Sequence, residues 1–190
     1  YALQAVGLWN DEPPLRKIEA IAERYLSSLQ TIPSRSKHIL IGHSFGGLVA
    51  YEMAQRLYIQ GEEPIATVLI DSPGPGHMPC RLDSNAEFFA YFLDRDHPGQ
   101  NYDDNLRVLT ALSPAEQMDY TLKRIRQEWP NMGNLTREEF VRQVNVFHAH
   151  AEAMWSYKPQ PYPGQILFFK AREKDPINAA TPEMAWIPLS

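Results

Sequence analysis

Residues 42–47 read Gly42-His43-Ser44-Phe45-Gly46-Gly47, directly after the apolar run Ile39-Leu40-Ile41 and before the helix-like stretch Val49 to Leu57. This is the G-x-S-x-G pattern in the strand–turn–helix context that gives it chemical meaning. A serine hydroxyl is a weak nucleophile. On a sharp turn at the end of a strand, its oxygen projects into a cleft where a histidine can take its proton. Such a turn strains the serine backbone, and neighbours without a β-carbon relieve the crowding. Gly42 and Gly46 are expected to supply that relief. Gly47 is expected to let the following helix pack close to the strand. The helix N-terminus behind Ser44 brings a positive dipole end to the place where negative charge develops.

A nucleophilic serine needs a base and a group that orients the base. Asp71 follows the apolar run Ile65-Ala66-Thr67-Val68-Leu69-Ile70. In a parallel sheet, ligands gather beyond the carboxyl ends of the strands, so Asp71 and Ser44 are expected to border one cleft. Capping of the turn at Pro73-Gly74 is the plainer role for the same aspartate. Asp175 and Glu173, past the next strand, compete for the acid's role from a polar segment. The six histidines offer no obvious base. His38 precedes the serine's strand, and the side chain of His43 is expected to point away from Ser44. His77 and His97 fall in loops. His148 and His150 stand two apart on a helix and face different sides, a spacing that does not suit a metal there. In the chain order serine, aspartate, histidine the base follows the last strand. No histidine follows His150, so the base is expected beyond Ser190.

The elements that position these residues alternate. Tyr1 to Val6 reads as a strand. Asp11 or Glu12 before Pro13-Pro14 predicts a helix to about Gln30, with Leu15, Ile18, Ile21, Ala22, Tyr25, Leu26 and Leu29 on one face. The serine's strand and helix follow, then the run at 65–70, whose continuous apolar character predicts burial on both faces of a parallel sheet. Strand–helix–strand–helix–strand is the doubly wound α/β signature. The rhythm breaks at Asp71-Ser72-Pro73-Gly74-Pro75-Gly76. Helical sequence then continues to Tyr157 with three start signals: Ser84 with Glu87, Ser113-Pro114 with Glu116, and Thr136 with Glu139. More helices than one crossover needs are read as a lid, residues 76–157, inserted in a single domain spanning 1–190. The sheet resumes at Gln165-Ile166-Leu167-Phe168-Phe169-Lys170-Ala171. The chain opens inside an apparent strand and stops without a closing element, so both ends are expected to be cut.

Composition narrows the partners. The chain has 190 residues, with 44% hydrophobic and 22% charged content, ordinary for a globular domain. A formal charge of −5 with no Lys/Arg run argues against nucleic acid and an anionic membrane. No apolar run approaches the ~18 residues of a membrane span, and no signal peptide is visible. Cys80, the single cysteine, excludes an internal disulfide and fits a reducing, cytoplasmic setting.

The run Gly42-His43-Ser44-Phe45-Gly46-Gly47-Leu48-Val49-Ala50-Tyr51-Glu52-Met53-Ala54 resembles the thioesterase domains that end nonribosomal peptide synthetases and polyketide synthases, and their free-standing type II relatives. Val68-Leu69-Ile70-Asp71-Ser72, the opening Tyr1-Ala2-Leu3-Gln4 and the stretch 157–171 share the likeness, which is weakest over 76–150. The resemblance implies an α/β-hydrolase fold. It implies Ser44 as nucleophile, Asp71 as the acid in synthase-embedded members, or Asp175 as in many type II members. The Phe45 backbone N–H becomes one oxyanion donor. Trp186 is similar to the tryptophan that stands shortly before a Gly-x-His segment carrying the base. A second oxyanion amide and that histidine would lie outside the chain, which is then expected to turn over poorly by itself. The implied substrate is an acyl, peptidyl or polyketide chain on the phosphopantetheine arm of a carrier protein. No cofactor or metal is implied. Phe88, Phe89, Tyr91, Phe92 and Trp155 would shape an apolar acyl chamber. The alternatives are a type II editing enzyme, an esterase- or lipase-like hydrolase, and a non-catalytic remnant that binds acyl chains or a synthase partner.

Overall fold

A computed structural model describes residues 1–32, 37–75, 84–94, 101–171, 186 and 189. Its three strands are β1 (Ile39–His43), β2 (Ala66–Ile70) and β3 (Ile166–Phe169), all parallel and in the order β1-β2-β3. Parallel neighbours require crossovers. Helix α2 (Phe45–Ile59) makes the first, and α3 (Asn85–Leu93), α4 (Tyr102–Thr110), α5 (Pro114–Glu128) and α6 (Arg137–Ser156) stand in the second. Helix α1 (Ile18–Gln30) precedes the sheet. No helix among the described residues is long and apolar enough to cross a membrane.

The register pairs Leu40 with Thr67 and Gly42 with Leu69, and β3 adds Ile166 and Phe168 to the same face. Leu40 and Leu69 join Ile18, Ile21 and Ala22 of α1 and Leu48, Tyr51 and Ala54 of α2 in one buried cluster. The opposite face is not closed. Ile41 is 65% and Phe169 57% exposed, and Val68 and Ile70 are half-buried. The β2 run expected to be buried on both faces is therefore fully covered on one only. Apolar continuity marks a strand's length, and only what packs on each face decides its burial.

Two boundaries differ from the sequence reading. Tyr1 to Ala5 forms no strand, since no ladder pairs it, and Tyr1 is fully exposed. Helix α1 starts at Ile18 instead of beside Pro13-Pro14. A residue before proline is pushed out of the α region, residues 13–17 form no helix, and Lys17, directly before α1, is extended at φ −139° and ψ 134°.

The chain forms two compact units. One contains residues 1–78, 145–173 and 180–190, the other 79–144 and 174–179. The second is helical, and each start signal read in the sequence closes there. Ser84 and Ser113 accept hydrogen bonds from the N–H groups of Glu87 and Glu116, whose carboxylates accept from the serine N–H groups. Thr136 and Glu139 make the same reciprocal pair. Helix α4 carried no such signal, and its Asn101 makes no side-chain cap. Within this unit Phe88 and Phe89 are buried and pack ring against ring, Phe89 also meets Phe140, and Phe92 meets Trp129 edge-on. Phe88 and Phe89 are thus committed to the unit's own core.

Candidate active site

Ser44 sits between β1 and α2 at φ 50°, ψ −123°. Asp71 follows β2 at φ 44°. They are the only non-glycine residues at positive φ among the described residues. Each such conformation costs about 1–3 kcal/mol and persists only where its surroundings hold it. The holding contacts are visible. The Ser44 N–H donates to the Ile70 carbonyl at 2.8 Å, and the Asp71 N–H donates to the Phe169 carbonyl at 2.8 Å. Since His43 pairs with Ile70 in the ladder, Ser44 and Asp71 leave adjacent strands at the same level. Adjacent strands run ~5 Å apart, so the two residues flank one another at the carboxyl edge of the sheet.

Glycines make the Ser44 turn possible, though not all three equally. A β-carbon on Gly42 would overlap the backbone of Gly46 and Gly47, and one on Gly47 would overlap the Ser72 side chain. Gly46 has open space where its β-carbon would stand. The close approaches therefore fall at Gly42 and Gly47, and the relief expected from Gly46 is not needed for space. Ser72, fully buried, lies under α2 directly after Asp71 and so couples the two turns. Its carbonyl accepts the indole N–H of Trp186 at 3.2 Å, and the Trp186 ring lies 5.0 Å from that of Tyr51.

Ser44 is exposed, and its hydroxyl has no hydrogen-bond partner among the described residues. Phe45 opens α2, so its N–H is one of the first-turn donors that no helical carbonyl satisfies. An oxygen beside Ser44 would meet that N–H and the helix's positive end. Asp71 is half-buried. Its Oδ1 accepts the Ala171 N–H at 2.5 Å, which fixes the carboxylate and leaves the other oxygen without a partner among the described residues. A carboxylate so held can accept from an imidazole N–H.

The structure brings Ser44, Asp71 and Phe45 together. Asp175, Glu173, His77, His97 and Cys80 lie outside the described residues. His43 ends β1 exposed, on the strand face shared by Ile39 and Ile41. His150 stacks on Phe45, ring centroids 4.2 Å apart and planes within 8°. Burial pushes its pKa down to about 4, so the ring is neutral. Burial lowers His148 too, with a smaller contribution from Arg16. The sequence reading missed the His150 stack. The signal was there in the buried stripe Val146, Ala149, Ala153 and Tyr157, which turns that side of α6 inward and carries His150 along its margin. It also missed a buried polar pair: the Tyr157 hydroxyl donates to Glu52 Oε2 at 2.9 Å, and Glu52 Oε1 accepts from Arg56 at 2.7 Å. Burial and the Glu52 carboxylate both push the Tyr157 pKa up.

A parallel sheet with crossover helices and a strained serine between strand and helix is the arrangement of the α/β-hydrolase-like class. The chain belongs to the thioesterase domain family, whose model matches residues 1–187. It is 24% identical over 177 residues to a dimodular nonribosomal peptide synthase of Bacillus subtilis strain 168, covering 90% of this chain and 7% of the synthase. A crystal structure of a four-domain nonribosomal peptide synthetase bound to AMP and glycine matches with TM-score 0.84 and 24% identity, over 99% of this chain and 14% of that one. The RedJ thioesterase from the prodiginine biosynthetic pathway of Streptomyces coelicolor matches with TM-score 0.61 and 23% identity, over 99% and 62%. The chain thus spans a small fraction of the synthases it matches and about three-fifths of the RedJ thioesterase.

Proposed function

We propose that this domain releases an acyl, peptidyl or polyketide chain from the phosphopantetheine thioester of a carrier protein through an acyl-Ser44 intermediate. The observation that carries the reading is the pair of strained residues, Ser44 and Asp71, side by side at the carboxyl ends of paired strands. Likeness to synthases supports the carrier-bound substrate.

In the proposed reaction Ser44 Oγ attacks the thioester carbonyl while a histidine takes its proton. Asp71 orients that imidazole and stabilises its charged form. The Phe45 N–H holds the developing oxyanion. The C–S bond then breaks, and the histidine returns the proton to the departing thiol. Water hydrolyses the acyl-serine to an acid, or a nucleophile within the chain closes a macrocycle. The stretch 76–157 acts as a lid over the acyl chain, a role supported by the separate helical unit that takes in its residues 79–144. A cytoplasmic setting suits the single thiol, Cys80.

A fluorophosphonate probe should label Ser44 in the full-length protein, and Ser44→Ala should abolish labelling. Labelling that survives the substitution rejects the nucleophile. Hydrolysis of free esters as fast as of carrier-bound thioesters rejects the carrier-dependent reading in favour of an esterase.

A further inference from the structure

His150 is the polar side chain of α6 that reaches the residue after Ser44. One face of its imidazole lies flat on the Phe45 ring. Neither ring nitrogen has a hydrogen-bond partner among the described residues, and the side chain is only half-buried. Stacking alone does not require nitrogen. A phenyl ring would cover Phe45 as well without the cost of desolvating a polar edge. The neutral imidazole carries one N–H donor and one bare acceptor. It therefore offers a donor and an acceptor that point apart, on the residue stacked against Phe45, and either one can pair with a single polar atom of an amide.

Resting on the reading of Ser44 as nucleophile, we propose that His150 is a specificity residue of this site. One of its ring nitrogens hydrogen-bonds an amide carried by the acyl chain next to the reacting carbonyl, so amide-bearing acyl thioesters are favoured over plain alkanoyl thioesters. Phe45 sets the height and tilt of the ring. The stripe of Ala149, Ala153 and Tyr157 fixes α6 behind it, and Tyr157 is tied to Glu52 two turns along α2 from Phe45.

The test compares N-acetylglycyl- and pentanoyl-N-acetylcysteamine thioesters, whose acyl chains match in length and differ in the amide. His150→Phe keeps the stack and removes the nitrogens. It should lower kcat/KM for the N-acetylglycyl substrate about ten-fold, the scale of one well-made hydrogen bond, and leave the pentanoyl substrate within about two-fold. Calorimetric binding to Ser44→Ala protein, with and without His150→Phe, should show the same amide-selective loss and does not depend on turnover. Equal losses for both compounds, or no loss for either, overturn the proposal. Fluorophosphonate labelling separates the two failures. If His150→Phe protein is labelled at Ser44 but keeps the parent's preference between the two substrates, the role given to His150 is wrong and the nucleophile stands. If labelling is indifferent to Ser44→Ala, the parent reading falls.

Discussion

The helix starts of the helical unit and the two turns that carry Ser44 and Asp71 are held by opposite means. At Ser84, Ser113 and Thr136 the chain reverses into a helix with partners three residues away. Each device is complete within its own few residues. At Ser44 and Asp71 the partners are distant in sequence: the Ile70 carbonyl for one, the Phe169 carbonyl and Ala171 N–H for the other, and Ser72 beneath Gly47. The local devices sit in relaxed backbone, with Ser113 at φ −65° and Ser84 at φ −141°. The distant ones enforce positive φ on residues that disfavour it. Strain of this kind survives only where tertiary contacts over-determine it, so the contrast separates positions kept for folding from positions kept for chemistry.

The sharpest way to break the contrast is to remove chemistry while leaving the turns intact. Ser44→Ala should lower turnover by roughly 10⁴–10⁶-fold with an unchanged unfolding transition. A loss of stability as large as the loss of activity would make the elbow a folding device after all. Asp71→Asn should follow at about 10⁴-fold in kcat. The asparagine tolerates positive φ and its carbonyl can still accept the Ala171 N–H, so the fold should hold. If Asp175→Asn inactivates and Asp71→Asn does not, the strained turn at Asp71 is structural and the acid lies after β3.

The two kinds of region were unequally legible. The three capping boxes and the elbow's strand and helix were plain in the sequence because each pattern is local. So was Ser44, whose neighbours at 42, 46 and 47 declare a tight turn. The positive φ of Asp71 was not legible, because it is imposed by β3 a hundred residues away. The role of Gly47 was read correctly as close packing, but its partner Ser72 emerged only from the fold. Gly46 was over-read: the motif groups it with Gly42, while the space around it is open. Helix α4 went unseen because Asn101 makes no cap and its buried face is only Asn105 and Leu109. The strand expected at 1–6 failed because a strand is defined by its neighbour, which composition does not supply.

A smaller effect tests whether the non-local contacts hold the turns. Gly47→Ala drives a methyl into Ser72 under α2 and should cost about 3 kcal/mol, near the upper end for overpacking. Gly46→Ala meets nothing and should fall within about 0.5 kcal/mol of the parent protein, or stabilise α2 slightly. Urea unfolding of the two variants side by side is the measurement. Equal costs would remove the distinction drawn between the two glycines.

The smallest expected effect lies at the local devices. Ser113→Ala removes the hydroxyl that accepts the Glu116 N–H and should cost about 1 kcal/mol in urea unfolding, with turnover unchanged. The same box carries a pH dependence of definite sign. The Ser113 hydroxyl, and then its N–H, hold the Glu116 carboxyl below its ordinary pKa. A carboxyl depressed in the folded state contributes its stabilisation above the unfolded value, and that contribution fades as pH falls through the folded one. The Ser113→Ala penalty should therefore be full at pH 7 and shrink in acid below about pH 4, near the ordinary carboxyl value. Urea midpoints of parent and variant at pH 7 and in mild acid should converge. A penalty constant across that range would mean that the hydroxyl caps α5 without help from the Glu116 charge, and the helix start would be simpler than its reciprocal geometry suggests.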